Sequence, residues 1–248
     1  MKIIFSEFLA NYKNYSFGYC VYCIYERSKD KLSDIYAKGF LPYSGSRDLL
    51  QYFYLARSLR VGLSDFSFTS ENRRVHKKYE NQFEKVYLCK ANEELKKFYL
   101  EYFKKVHGEK IMSKERLDFI FDFNIINEIV IYKKENKMIG SILLVNDGGD
   151  NKNKMSHFWY SAYAPEYAQT SFGMFMMLDE ASSKKQQGYK YYYIGTGYGE
   201  KAKYKMNFDT LEFFDGNIWI QDKKLFKKLI AEDKTREIDD IKKESTMF

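Results

Sequence analysis

The chain has 248 residues, of which 45% are hydrophobic and 30% charged, so it is long enough to bury a core and too apolar for intrinsic disorder. Its net charge of +7 favours an anionic partner such as nucleic acid, although a basic surface also serves solubility. No apolar run approaches the ~20 residues that cross a bilayer, and Glu7 interrupts the apolar N-terminal stretch. A membrane span and a signal peptide are therefore not expected, and a cytoplasmic location is predicted.

The first 90 residues carry irregular signals. The segment "DKLSDIYAKGF" predicts a helix that ends at Gly39, and a turn follows around Pro42 and Gly45. The aromatic run "QYFYLARSLRV" predicts a strand. The segment "SENRRVHKKYENQ" predicts a basic helix with Thr69 or Ser70 as its N-cap.

From residue 91 onward the sequence signals for helices and strands are clearer. The segment "ANEELKKFYLEYFKKVHG" repeats apolar residues at i, i+3, i+4 and i+7, which predicts an amphipathic helix, and "SKERLDFIFDF" continues as helix. A β-hairpin is predicted for "NEIVIYKKENKMIGSILLVNDGG" and a strand for "SHFWYSAYA". A helix over "QTSFGMFMMLDEASSKKQQGY", ending at Gly188, then leads to the strand "YKYYYIG". After a glycine loop, alternating lysines predict one more strand.

This element order predicts a mixed α/β (α+β) fold, divided into an N-terminal region, 1–90, and a larger region, 91–248. The order resembles the GNAT acyltransferase fold, in which a strand feeds a helix N-terminus that receives the phosphates of an acyl donor. Fold analogy alone does not give a function.

The glycine loop contains Gly195, Gly197 and Gly199 on alternate positions. It does not fit G-x-x-x-x-G-K-[ST], because no glycine precedes Lys201 in the required frame. It does not fit the dinucleotide fingerprint G-x-G-x-x-G either, because its third glycine comes one residue too early. Both nucleotide-binding motifs are therefore excluded. A glycine-rich turn followed by a solvated edge strand remains an alternative.

A family resemblance rests on the stretch "YYYIGTGYGEKAKYKMNFDTLEFFDGNIW". It resembles the C-terminal signature of the arginyl-tRNA–protein transferases and their bacterial leucyl-transferring relatives, with its C-P-K-M-x-Y-K run. Lys201 matches the first lysine of that run, the stretch Lys203–Lys205 matches its K-Y-K, and Glu212 matches the acidic position that follows. The chain departs from the run where Gly199 and Glu200 replace Cys-Pro and Ala202 replaces Met.

Three further segments resemble the same family in the same order. They are "LSDIYAKGFLPYSGS…FYLARSLRVGLSDFSFTSENRRVHKKYE", "YLEYFKKVHGEKIMSKERLDFIF" and "SHFWYSAYAPEYAQTSFGMFMMLDEA". The resemblance implies transfer of an amino acid, arginine first and leucine second, from charged tRNA to the α-amine of a protein or peptide N-terminus, often Asp or Glu. The ester is already activated, so the enzyme mainly aligns amine and carbonyl and steadies the oxyanion. No cofactor is expected.

The candidate site residues follow from this implied chemistry. Tyr204 and Glu212 are candidates for proton transfer. The tRNA-binding candidates combine basic side chains, an aromatic ring and the glycine that opens a helix: Arg57, Arg60, Arg73, Arg74, His76, Lys77, Lys78, Gly173, Tyr192, Lys201, Lys203 and Lys205. For each basic residue a solvated surface charge is the alternative.

Three other questions stay open at the level of sequence. Cys20 and Cys23 have metal-like spacing, but two ligands do not close a site, so free thiols are predicted over zinc or an iron–sulfur cluster. A GNAT acyltransferase that uses acyl-CoA is a rival, which the single Gly173 at the helix start weakens. The other rival is a non-catalytic RNA-binding protein.

Overall fold

The structure is a computed structural model that describes residues 7–11, 16–19, 21–45, 47–49, 51–106, 108, 112–148 and 153–233. The strands of this part are β1 (Glu7–Asn11), β2 (Ser16–Tyr19), β3 (Tyr22–Ile24), β4 (Phe40–Pro42), β5 (Tyr52–Leu55), β6 (Ser58–Gly62), β7 (Glu84–Leu88), β8 (Glu128–Lys134), β9 (Lys137–Asp147), β10 (Met155–Tyr163), β11 (Tyr191–Thr196), β12 (Leu211–Phe214) and β13 (Trp219–Ile220). Its α-helices are α1 (Leu32–Ala37), α2 (Ser70–Tyr79), α3 (Glu93–Val106), α4 (Lys114–Asp122), α5 (Phe172–Gln186) and α6 (Lys223–Glu232). A 3₁₀ helix over Glu200–Asn207, here called the lysine segment, follows β11.

A mixed sheet of eight strands forms the centre of the molecule, in the order β13-β12-β6-β11-β10-β9-β8-β7. Strands β10 and β11 run parallel, while β9, β6 and β12 pair antiparallel with their neighbours. A parallel pair needs a long crossover, which α5 supplies. Strands β3, β5 and β4 form a small separate sheet. The predicted mixed α/β class is confirmed.

Helices cover both faces of the large sheet. On one face, Val61, Tyr192 and Phe213 pack in one core with Phe175 of α5 and Phe226 of α6. On the other face, the side chains of α3 and α4 pack on β8 and β9 in a second core, and α1 packs near Tyr193 in a third. Because both faces are covered, β9 and β11 read as nearly continuous apolar runs rather than as alternating ones.

Several predicted elements are confirmed. Helix α2 begins after Thr69, whose side-chain oxygen accepts a hydrogen bond from the Asn72 backbone N–H at 3.2 Å. Helix α3 and the β8–β9 hairpin lie where the sequence pattern puts them. Helix α5 ends just before Gly188, which has the positive φ of 76° expected of a C-terminal glycine.

One predicted strand is divided into two, and another is wrong. The run 51–61 is two strands, because β5 belongs to the small sheet and β6 to the large one. The alternating lysines form a 3₁₀ helix rather than a strand, since Gly199 turns the chain at φ 62° and Ala202 buries one side of the segment. The large sheet also crosses the predicted division at residue 90, because β6 and β7 come from before it. That division stays a prediction.

Candidate active site

A cleft of about 490 Å³ lies against β10 at the point where this strand separates from β11. The parallel pairing joins Met155–His157 to Tyr191–Tyr193. Farther along, the pairing of β10 with β9 is irregular between Phe158 and Tyr160. Side chains from α2, α3, α5 and the lysine segment complete the walls of the cleft.

The walls of the cleft are mainly aromatic or sulfur-containing. These residues are Tyr102, Phe158, Tyr163, Tyr167, Phe172, Met174, Met177 and Tyr204. A few polar side chains converge on the same space: Glu71, Ser161, Gln169, Ser171 and Asn207. Among these described lining residues there is no lysine or arginine. An apolar cleft with a few placed polar groups is typical of a ligand-binding site.

The N-terminus of α5 forms one end of the cleft. Ser171 precedes the helix in the left-handed conformation, with φ 65°, and the first turn carries no acidic residue. The first N–H groups of a helix have no intrahelical partner, so this end suits a negatively charged group. A Cβ on Gly173 would lie 3.2 Å from Cε1 of Tyr163, so the glycine also lets that ring approach the helix.

Helix α2 forms a side wall and connects the two ends of the cleft. Asn72, which is buried, donates a hydrogen bond to the backbone oxygen of Asn207 in the lysine segment at 3.0 Å. Lys78 and Tyr79 both donate to the backbone oxygen of Thr170, which precedes α5, at 3.2 and 2.7 Å. The helix therefore fixes the position of the lysine segment relative to the α5 N-terminus.

The predicted tRNA-binding residues of α2 do not share one environment. Arg73 and Lys77 are exposed, and Arg74 is exposed and bonded to Glu71, with Nη2 2.6 Å from Oε1. The hydrogen bond from Arg74 lowers the pKa of the Glu71 carboxyl. The His76 ring instead packs between two phenylalanines, Phe68 at 4.9 Å and Phe175 at 5.7 Å between ring centroids.

In the lysine segment, the three lysines point in different directions. A 3₁₀ helix has about three residues per turn, so alternate residues do not share a face. Lys201 and Lys203 are exposed, and Lys203 lies 3.2 Å from Glu200. Lys205 turns inward, where its Nζ donates to the backbone oxygen of Thr196 at 2.9 Å, and burial lowers the pKa of its ammonium group to about 8. Tyr204 is 45% exposed and lines the cleft.

A buried histidine lies close to Lys205 on the inner part of β10. His157 is 2% exposed, and its Nδ1 is 2.8 Å from the hydroxyl oxygen of Tyr36. Burial, followed by the positive charge of Lys205, lowers the pKa of His157 to about 3. The ring is therefore neutral at ordinary pH.

Arg57 and Arg60 form buried ion pairs, which corrects their predicted exposure to tRNA. The Arg57 guanidinium bonds to Asp233 at 2.8 Å and lies 4.8 Å from the ring centroid of Tyr198. Arg60 bonds to Glu212, the directly opposite residue of β12, at 2.5 Å. Because both guanidinium groups are inside the protein, neither presents an exposed contact to phosphate.

Glu212 and Tyr192 are also placed away from the cleft. The Glu212 carboxylate is bonded to Arg60, whose guanidinium lies between the rings of Tyr191 and Trp219 at 3.9 and 4.0 Å. Tyr192 is fully buried beneath α5, so it offers no face on which a base could stack. Neither residue lies where the sequence prediction needs it.

Of the predicted cysteine pair, the structure describes Cys23. Cys20 lies outside the described residues. Burial, followed by the charge of Asp30, raises the pKa of the Cys23 thiol to about 11, so this thiol is protonated at neutral pH. Within the described ranges, no three histidine, cysteine, aspartate or glutamate side chains come together as a metal site. Free thiols stay a prediction.

Of the predicted site residues, Gly173 and Tyr204 line the cleft, and the sequence offers no prediction for the other lining residues. Tyr163 and Tyr167 lie in the segment "SHFWYSAYAPEYAQTSFGMFMMLDEA", which resembles the family, but no role follows from that resemblance. Tyr102 was visible only as an apolar position of an amphipathic helix. Asn207 carried no signal, because its contact with Asn72 joins residues 135 positions apart.

The central segment of the chain is similar to a known protein family. Residues 94–215 match the family described as "Arginine-tRNA-protein transferase, C terminus". The aspartate/glutamate leucyltransferase of Ruegeria sp. (strain TM1040) is 39% identical over 62 residues, which are 24% of this chain and 23% of that protein. The chain thus aligns with about a quarter of this curated relative.

Similar solved structures are distant. L-PGS from Bacillus licheniformis is 12% identical at a TM-score of 0.45, over 57% of this chain and 46% of that chain. An aminoglycoside acetyltransferase from an uncultured soil metagenomic sample is 15% identical at a TM-score of 0.37, over 52% of this chain and 86% of that chain.

Among the described helices, none has the length and apolar character to span a membrane.

Proposed function

We propose that this chain is an aminoacyl-tRNA–protein transferase with a GNAT-like arrangement of its sheet and crossover helix. The observation that carries the proposal is the overlap between the family match and the cleft. The matched segment, 94–215, includes the cleft residues Tyr102, Tyr163, Gly173 and Tyr204. The segment that resembles arginine-tRNA-protein transferases is therefore the one that builds most of the candidate site.

The proposed reaction forms an amide from an ester. The α-amine nitrogen of the acceptor attacks the carbonyl carbon of the aminoacyl ester, and a C–N bond forms. The ester C–O bond breaks, and the ribose oxygen of the terminal adenosine takes up the proton that the amine releases. The enzyme needs to align the two groups and stabilise the negative charge on the carbonyl oxygen.

The cleft offers a group for each of these tasks. The Tyr204 hydroxyl can donate a hydrogen bond to the carbonyl oxygen as negative charge develops there. The aromatic walls suit stacking of the terminal adenine. The N-terminus of α5 suits a phosphate of the 3′ end. The exposed tRNA-binding candidates lie on the two elements that flank the cleft, α2 and the lysine segment: Arg73, Arg74, Lys77, Lys78, Lys201 and Lys203.

The lining of the cleft bears on which amino acid is transferred. Its aromatic and methionine side chains suit an apolar side chain such as leucine, since apolar burial is the main source of its binding energy. Glu71 is the one carboxylate among the described lining residues, and it is already bonded to Arg74. We therefore propose leucine ahead of arginine, which reverses the order that the resemblance implies. We also propose an acceptor whose Asp or Glu side chain is attracted by the exposed basic residues of α2 and the lysine segment.

The test is transfer of labelled leucine or arginine from purified charged tRNAs to peptides that begin with Asp, Glu or Ala. We expect leucyl transfer to the acidic peptides, loss of transfer after ribonuclease treatment, and no dependence on acetyl-CoA. Amine acylation by acetyl-CoA but not by charged tRNA would make the chain an acetyltransferase. Salt-sensitive tRNA binding without turnover would make it a non-catalytic RNA-binding protein.

A variant pair tests the role of Tyr204. Tyr204→Phe should lower kcat/KM by about 10²-fold, because it removes one hydrogen-bond donor aimed at the oxyanion. Tyr87→Phe is the matched control, since Tyr87 is a 48% exposed tyrosine on β7, the far edge strand of the sheet. Equal activities of the two variants would contradict the role of Tyr204.

A further inference from the structure

Helix α6 carries lysines on its outer side. Asp222 caps its N-terminus by accepting hydrogen bonds from the backbone N–H groups of Lys224 and Leu225 at 2.8 and 3.0 Å. Phe226 and Ile230 face the core and are nearly fully buried. Four lysines remain on the rest of the helix, of which three are exposed and one is half-buried: Lys224, Lys227, Lys228 and Lys223.

This helix is attached to the loop that leads into the cleft. Asp233, at its C-terminal end, accepts a hydrogen bond from the Gly199 backbone N–H at 2.7 Å and pairs with Arg57. Phe226 stacks on Phe213 of β12 with 5.4 Å between ring centroids. Helix α6 also packs directly on the lysine segment. The α6 lysines and those of the lysine segment therefore belong to neighbouring elements beside the cleft.

The exposed α6 lysines have charge available for a partner. Within the described part of the chain, no carboxylate lies within ion-pair distance of Lys224 or Lys227, and Lys228 is 3.8 Å from Glu232 on an exposed surface. An exposed pair at that distance contributes little. Residues three and four positions apart face the same side of a helix, so these three lysines form one cationic row.

We propose that α6 and the lysine segment together seat the acceptor stem of the tRNA, a double-stranded RNA, while its 3′ end enters the cleft. The inference rests on the proposed function, and it names the surface that holds the donor. Lysine is a point-charge ligand for phosphate and reads no sequence, which suits the shape-based recognition of an RNA duplex.

An anionic membrane is the other polyanion that a basic amphipathic helix can meet. Such a helix inserts its apolar face into the lipid, but the apolar face of α6 is already occupied by the core through Phe226 and Ile230. Leu225, at 37% exposure, is the large apolar side chain left among the lysines. RNA is therefore the better partner, and lipid is an outcome that the test can show.

The test compares two double variants with the same change of charge. Lys224→Glu/Lys227→Glu alters the proposed surface. Lys90→Glu/Lys134→Glu is the control, because both residues are exposed and lie at the ends of β7 and β8, at the opposite edge of the sheet. A third double variant, Lys224→Gln/Lys227→Gln, removes the two charges without reversing them. The Tm values of all the proteins separate loss of binding from loss of folding.

The readout is the binding of full-length tRNA, an acceptor-stem minihelix and a single-stranded CCA oligonucleotide as a function of salt. We expect the α6 variant to bind tRNA and the minihelix about tenfold more weakly, with the salt slope reduced by about one unit per lost contact, and to bind the oligonucleotide normally. The control should match the wild type. Unchanged slopes for the minihelix would overturn the proposal, and so would loss of binding to phosphatidylglycerol vesicles with tRNA binding intact.

A second measurement distinguishes failure of this inference from failure of the proposed function. A short donor, 3′-leucyl-adenosine, contains nothing that reaches α6. The α6 variant should transfer leucine from this donor at the wild-type rate and from charged tRNA at about a tenth of that rate. If the wild type transfers from neither donor, the proposed function fails, while the minihelix slopes still decide the role of the surface.

Discussion

His157 makes the folded protein sensitive to acid by a calculable amount. Its folded-state pKa is about 3, whereas an unperturbed histidine has a pKa of ~6.5. As the pH falls below 6.5, the unfolded chain binds a proton at this residue and the folded protein does not. The free energy of unfolding must therefore decrease, and the decrease continues until the pH reaches the folded-state pKa.

The magnitude follows from these two pKa values. Between pH 8 and pH 5 the loss is about 2 kcal/mol, and at pH 3 it is about 4 kcal/mol. The groups that face the ring are the Tyr36 hydroxyl from α1 and the Lys205 ammonium from the lysine segment, with Tyr193 packed against Tyr36. None of the three changes protonation between pH 5 and pH 7, so the slope in that range belongs to the histidine.

The experiment compares the wild type with His157→Gln, which keeps an acceptor for the Tyr36 hydroxyl and does not titrate. Urea unfolding at pH 8 and pH 5 gives the free energy of unfolding of both proteins. Carboxyl groups, and Lys205 near pH 8, titrate in both proteins and cancel in the difference. We expect the variant to gain about 2 kcal/mol relative to the wild type on going from pH 8 to pH 5. A difference that is equal at the two pH values would refute the reasoning.

Three further predictions concern the region where the end of β11, the lysine segment and α6 meet. Gly197→Ala should cost about 1–3 kcal/mol in urea unfolding, because the new Cβ would lie 2.7 Å from the Phe226 ring; an unchanged Tm would show that the ring moves freely. Asp233→Asn should lower the free energy of unfolding by about 3–5 kcal/mol, because it leaves the buried Arg57 charge without its carboxylate. The double variant Asp233→Asn/Arg57→Met removes that charge as well, so equal stability of the single and the double variant would argue against this cause. The free energy of unfolding of the wild type should rise by about 2 kcal/mol between pH 7.5 and pH 10, because the unfolded lysine still binds a proton there and the folded Lys205 has lost it. Lys205→Met should abolish this rise, and a rise that persists in the variant would contradict the assignment.

Local sequence signals predicted the regular elements well. The apolar spacing in α3, the Thr69 cap of α2 and the glycine after α5 act within a few residues of themselves, so they are readable from the chain. The lysine segment shows the limit of such patterns. Its alternating lysines have the period of a strand, but the conformation follows from burial of Ala202 and from the turn at Gly199.

The candidate site depended on contacts that no local pattern carries. Arg57 and Arg60 look like surface cations in the sequence, yet their carboxylate partners come 176 and 152 positions later. The sequence therefore gives the number of basic residues in a run, but it does not tell which of their side chains are exposed to solvent and which are buried. Of the two residues that the resemblance offers for proton transfer, Tyr204 lines the cleft and Glu212 lies in an ion pair with Arg60.

The position of β6 in the large sheet has a consequence for synthesis on the ribosome. This strand lies between β11 and β12, which are synthesised about 130 and about 150 residues after it. At ~5–20 residues per second, β6 stays with both of its edges unpaired for roughly 6–26 seconds. A fragment that begins at residue 91 would never meet it, and would leave the edges of β11 and β12 open to other chains. Efforts to isolate the larger region should therefore retain β6, and chaperone dependence is expected to be greatest while the middle of the chain is being translated.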